Sequence, residues 1–199
     1  NYLYSKFAPA SNLEPALYIN GAVLPSEKLI EAIKKMGALQ TLVHNGHIIA
    51  FKSEKQAINY QNFEAIAKGF SQVEFAGQVN SILQVWDIFK LNGIALQADY
   101  NLLTKGKISQ KLSSTNTLIG SVENIFIEEG AVVEGSVLNT NTGVIYIAKN
   151  AEIMENCAVR GPFALGEHAV LKMSSKVYGA TTLGPYCKAG GELNNAIFF

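Results

Sequence analysis

Between Ile147 and Ala189 an aliphatic residue returns every six positions: Ile147, Ile153, Val159, Leu165, Leu171, Val177, Leu183 and Ala189. Self-similarity at a fixed short period decides architecture before local propensities do. Six residues make one short strand and a turn. Three such units close a triangular coil of eighteen residues, and successive coils stack at strand spacing, roughly 4.8 Å. Residues eighteen apart therefore lie on top of one another. Ile147, Leu165 and Leu183 form one internal stack, Ile153 and Leu171 a second, Val159 and Val177 a third. Four residues after each aliphatic comes a mostly small or apolar side chain: Ala151, Cys157, Phe163, Ala169, Ser175, Thr181 and Cys187. Small residues there leave room for the aliphatics in a narrow interior. Ile127 and Val133 share the phase upstream, and the polar stretch Asn139-Thr140-Asn141-Thr142-Gly143 adds two residues before Ile147. The expectation is a parallel β-helix over 117–199, most regular over 147–193.

The first 110 residues read differently. Ala16 to Asn20 predicts a strand, and Pro25-Ser26 opens a helix with Ser26 as N-cap. Its apolar stripe is Leu29, Ala32, Ile33 and Met36, closed by Gly37. Thr41–His44 and His47–Phe51 flank Asn45-Gly46, a hairpin signal. A long helix is predicted from about Ser81 to Leu103, with the seam Ile82, Trp86, Phe89, Gly93, Leu96, Tyr100 and Leu103 and Trp86 as anchor. The turn-rich stretch Thr104 to Asn116 then leads into the repeats. The expected division is an α/β part over 1–80, a linker helix and turn over 81–116, and the β-helix over 117–199.

Composition narrows the function classes. Formal net charge is zero and 16% of residues are charged, which argues against a nucleic-acid binder with a clustered basic surface. No apolar run reaches the roughly 18 residues of a membrane span. Two cysteines make no disulfide framework, and Cys157 and Cys187, thirty residues apart, fall on different walls. A reducing, cytoplasmic setting is the expectation. The chain opens on Asn1-Tyr2-Leu3-Tyr4 without methionine and closes on Ala196-Ile197-Phe198-Phe199 as if entering another strand. Both ends are expected to be interruptions of a longer protein.

The segments Ile153–Asn156, Val159–Leu165, Lys176–Thr182 and Gly184–Asn195, with the helix Val85–Asn92 and Leu102–Gly106, resemble a group of bacterial sugar-nucleotidyltransferase-like proteins. These are described as glucose-1-phosphate thymidylyltransferases and are similar to the bifunctional N-acetylglucosamine-1-phosphate uridylyltransferase and glucosamine-1-phosphate acetyltransferase. The resemblance implies a left-handed β-helix, whereas parallel crossovers in ordinary sheets are right-handed. It also implies a homotrimer, a sugar phosphate or sugar nucleotide as ligand, and Mg²⁺ and acetyl-CoA as cofactors. No catalytic residue and no metal ligand is assigned within these 199 residues. Nucleotidyl transfer needs a Gly-rich phosphate loop, and residues 1–30 contain none. The general-base histidine of the acetyltransferase half would fall beyond Phe199, and Tyr178 stands roughly where the resemblance puts a phosphate-binding arginine. The covered chain is therefore expected to be inactive by itself.

Arg160 follows Val159 and points outward, eighteen residues before Tyr178. With Lys176 the pair suits a sugar phosphate, because guanidinium binds phosphate bidentately; a surface cation stacked on an aromatic ring is the alternative. Glu192, Asn194 and Asn195 sit where the resembled enzymes approach their acceptor, against a plain turn. Lys172 and Lys188 read as solvated coil-edge charges. His44 and His47 spell H-x-x-H but face each other across a hairpin without a third ligand, and His168 lies outward alone, too little for a metal-dependent hydratase. Beside the transferase reading stands a non-catalytic trimeric scaffold or sugar-nucleotide sensor with a degenerate nucleotidyl part.

Overall fold

Strand β1 (Ala16–Ile19) leads into helix α1 (Glu27–Lys34), where the Leu29 amide donates to Ser26 Oγ at 3.3 Å. That cap satisfies one of the orphan donors of the first turn. The computed structural model describes residues 16–53 and 63–199. Strands β2 (Gln40–His44) and β3 (His47–Ser53) pair antiparallel around Asn45 and Gly46, both at positive φ, 49° and 78°. Positive φ at both turn positions is what the Asn-Gly signal predicts. Helix α2 (Phe63–Lys68) and strand β4 (Ser71–Glu74) complete this part, and the sheet order is β1-β3-β2-β4. Leu29, Ile33 and Met36 are buried against Leu42, Ile49 and Phe75. Alternation puts Thr41 and Phe51 on the opposite face, where Thr41 Oγ1 donates to the Ala67 carbonyl of α2 at 2.6 Å. The residues Asn1–Tyr4, read above as an interrupted start, lie outside the described ones.

The chain falls into two compact units, the first ending at Leu83 and the second running Gln84–Phe199. The second contains helix α3 (Asp87–Thr104) and fourteen short parallel strands. The helix starts six residues later than predicted, because Ser81 to Trp86 include a bridge to Val23 and a turn instead. The first strands are β5 (Thr117–Ile119), β6 (Ile125–Ile127), β7 (Val132–Val133), β8 (Val137–Asn139) and β9 (Ile145–Ile147). Next come β10 (Glu152–Ile153), β11 (Ala158–Arg160), β12 (Phe163–Leu165), β13 (Val170–Leu171) and β14 (Lys176–Tyr178). Last are β15 (Thr181–Leu183), β16 (Lys188–Ala189), β17 (Glu192–Asn194) and β18 (Ile197–Phe198). They form three walls in the orders β18-β15-β12-β9-β6, β16-β13-β10-β7 and β17-β14-β11-β8-β5. This is a parallel β-helix.

The predicted stacks are its core. Ile147 pairs with Leu165 and Leu165 with Leu183; Ile153 pairs with Leu171, and Val159 with Val177. All seven are at most 2% exposed. Two irregularities interrupt the eighteen-residue step. Leu138 pairs with Val159, twenty-one residues on, while Val133 pairs with Ile153, twenty on. The polar insert thus adds three residues at its corner, and the hexad before it is one short, which gives the net two of the sequence. At the other end Lys176 pairs with Glu192, sixteen residues on, and Leu183 with Phe198, fifteen on. The regular core therefore stops at Ala189 and not at Leu193, because Gly190-Gly191 turn the chain in fewer residues.

Helix α3 lies on the outside of the first wall. Asn92, 7% exposed, donates from Nδ2 to the Ala180 carbonyl at 2.8 Å and accepts at Oδ1 from Thr182 Oγ1 at 2.9 Å. The next residue, Gly93, brings the helix so close that an added Cβ would touch Ala180 Cβ at 3.4 Å. Tyr100 packs with Phe126 and Val144 and donates its hydroxyl to the Glu123 carbonyl at 2.8 Å. The contact seam is Asn92, Gly93, Leu96 and Tyr100. Trp86, predicted as anchor, is 46% exposed and carries Lys90 over its ring. The first coil is closed by side chains of the preceding stretch: Ser109 Oγ accepts from the Ile127 amide, and Asn116 bridges the Val133 carbonyl and the Ser136 amide. These groups satisfy backbone that an open strand edge would leave bare.

Candidate functional site

Strand alternation fixes what the third wall presents. Val159, Val177 and Leu193 point inward, so Arg160, Lys176, Tyr178, Glu192 and Asn194 point outward. The register sets Lys176 beside Glu192, Tyr178 beside Asn194, and Arg160 beside Asn139. Lys176 Nζ lies 4.0 Å from Glu192 Oε2, and the Tyr178 hydroxyl donates to Glu192 Oε1. That hydrogen bond to a carboxylate is the main reason the Tyr178 phenol titrates above its ordinary value, so it stays a protonated donor at neutral pH. Asn195, at φ 51°, donates its amide to the Tyr178 carbonyl at 3.2 Å. The six residues singled out in the sequence thus share one wall. Five of them gather around Glu192 and the turn after it, while Arg160 stands apart in the adjoining row.

Asn139 was not singled out. It lies twenty-one residues before Arg160, so no eighteen-residue rule finds it; only the position of the insert does. Its Oδ1 accepts from the Asn141 amide at 3.0 Å, which leaves its amide nitrogen as the uncommitted end of the side chain. The corner beyond is tightly built: Gly161 lies so near Gly143 that an added Cβ would meet the Gly143 carbonyl oxygen at 2.2 Å.

Of the other polar candidates, His44 and His168 are engaged in the structure of the fold. His44 Nδ1 is 2.9 Å from the Phe75 carbonyl and its Nε2 is 3.1 Å from Asn45 Nδ2, so both ring nitrogens have protein partners. His168 stacks on Tyr186, eighteen residues on, with ring centroids 4.9 Å apart. Cys157 and Cys187 are free thiols, and burial pushes the Cys157 thiol up. Lys172 and Lys188 are exposed. Among the described residues no three His, Cys, Asp or Glu side chains converge as a metal site. Nor does any described helix have the length and apolarity to cross a membrane.

A short α/β unit followed by a helix-clasped parallel β-helix defines the class of protein. Comparison with known families places it further: a model of the sugar nucleotidyl transferase family matches residues 1–108, more than half of the chain, and the chain belongs to that family. No curated protein matches. The match ends four residues past α3, so this helix belongs to the family segment by sequence and to the β-helix unit by structure.

Proposed function

We propose that the chain is part of a sugar-1-phosphate nucleotidyltransferase-like protein whose β-helix serves as an acetyltransferase-type ligand-binding half. The observation that carries this reading is α3: a helix inside the family match is clamped by Asn92 onto Ala180 and Thr182 of the β-helix. The family match therefore runs into the unit that holds the β-helix. The reaction is transfer of a nucleotidyl group to a sugar 1-phosphate with Mg²⁺, or of an acyl group from acetyl-CoA to an amino sugar. Lys176, Tyr178, Glu192, Asn194 and Asn195 supply hydrogen bonds to the sugar end of the ligand. The assembly is a cytoplasmic homotrimer with the β-helices side by side.

The test is turnover by the intact protein: pyrophosphate release from each nucleoside triphosphate with a panel of sugar 1-phosphates, and thiol release from acetyl-CoA with the amino-sugar phosphates. Either product above a no-enzyme control supports the reading. Absence of both, with sugar nucleotides still raising the melting temperature, replaces it by the scaffold or sensor. Light scattering of the same sample reports the trimer directly.

A further inference from the structure

We propose that the third wall carries a binding site for a phosphate-class anion built on Arg160 and Asn139. Arg160 is the only arginine of the chain; all fifteen other basic residues counted with it are lysines. Its guanidinium makes no ion pair, hydrogen bond or ring contact with any described residue, and the cation resting on a ring among those residues is Lys90 on Trp86. A surface cation stacked on Tyr178 is therefore not what the wall presents. The one carboxylate on the outward rows of this wall, Glu192, already takes Lys176 and the Tyr178 hydroxyl. That leaves Arg160 without a competing acid in its row.

Its strand neighbour completes the donor set. Arg160 and Asn139 are register partners and both point outward. Asn139 Oδ1 is held by the Asn141 amide, and its Nδ2 group has no partner among the described residues. Two uncommitted donors are thus carried on adjacent strands, whose backbones lie roughly 4.8 Å apart. A planar guanidinium offers two parallel N–H groups to two oxygens of a phosphate, and the amide reaches a third oxygen of the same group. Tight packing of Gly143 against Gly161 holds the corner behind them, so the donor pair sits on a firm backbone. The matching ligand is a phosphate monoester or diphosphate. This deepens the proposed function and rests on it only for the organic part of that ligand.

The experiment titrates inorganic phosphate, and separately pyrophosphate, into the ¹⁵N-labelled 199-residue chain at constant ionic strength set by chloride. Saturating shifts are expected at the amides of Asn139, Asn141, Arg160 and Gly161. Arg160→Gln should weaken binding at least tenfold, Asn139→Ala severalfold, and Arg160→Lys should fall between, since an ammonium keeps the charge and loses the fork. Lys172→Gln, on a different wall, should leave the titration unchanged. Shifts spread over the lysines, or the same titration in Arg160→Gln and the parent, overturn the site. Phosphate bound at Arg160 in a protein without turnover would keep this inference and remove the transferase reading; turnover indifferent to Arg160→Gln would do the reverse.

Discussion

The two units bury apolar side chains by different rules. In the β-helix each buried aliphatic sits on an equivalent residue one coil away, as Leu165 does between Ile147 and Leu183. In the α/β unit each buried residue has its own unlike partners: Leu29 and Ile33 of one helix, with Met36 just past its end, meet Leu42, Ile49 and Phe75 from three different segments. A defect in the repeat is passed along a stack, whereas a defect in the α/β unit stays with one helix. Cooperativity should therefore differ between the units even where the buried area per residue is alike.

Leu165→Ala should have the largest effect. Removing a side chain at 0% exposure from the middle of a stack costs about 3 kcal/mol, and urea unfolding should show it as loss of the whole β-helix transition. Leu29→Ala, at 2% exposure, costs about as much but should move only the transition of the α/β unit. If both variants shift both transitions equally, the distinction between the units is wrong. Asn92→Ala comes next, at about 2 kcal/mol, because it strips the Ala180 carbonyl and the Thr182 hydroxyl of their partner on α3. Hydrogen exchange should then rise along α3 while the coil amides stay protected. Ser26→Ala removes the N-cap of α1 and should cost about 1 kcal/mol, confined to the α/β unit by the same readout.

The smallest effect is a pH dependence. Hydroxyl donors Thr115 and Ser113 hold the Glu134 carboxyl below its ordinary value. A lowered native pKa means the contribution is present above the unfolded value, about 4.3, and is lost as pH falls through the lower native value. Amide protection factors at residues 109–116, taken relative to intrinsic exchange at each pH, should fall on acidification, and Glu134→Gln should flatten that response. An unchanged acid limb in Glu134→Gln would remove this carboxylate from the cap.

How much of this was legible in the sequence follows from where repetition holds. The stacks of Ile147, Ile153 and Val159 could be read from period alone, because eighteen residues return the chain to the same wall. Position fails where the coil length changes. Asn139 was missed as the neighbour of Arg160 because the insert puts them twenty-one apart, and Glu192 meets Lys176 only because Gly190-Gly191 shorten the last coil. Asn92 was missed for another reason: a polar residue in an apolar seam carries no periodic signal, and its partners lie 88 and 90 residues away. Helix α2, six residues long, and β4, exposed throughout, lack the alternation that identifies longer elements. On the site wall, the residues named in advance do share one surface, but their division into a network around Glu192 and an isolated Arg160 depends on side-chain geometry that spacing does not encode.

Helix α3 occupies one side of a three-sided column. In the proposed trimer, ligand and neighbouring copies would divide the other two sides. A ring of copies closing through the side of β5, β8, β11, β14 and β17 would enclose Arg160 in its seam. Closure through the side of β7, β10, β13 and β16 would leave Arg160 facing water. With one wall clasped by a helix, the proposed assembly becomes a choice between two surfaces, and a single arginine would report which is taken.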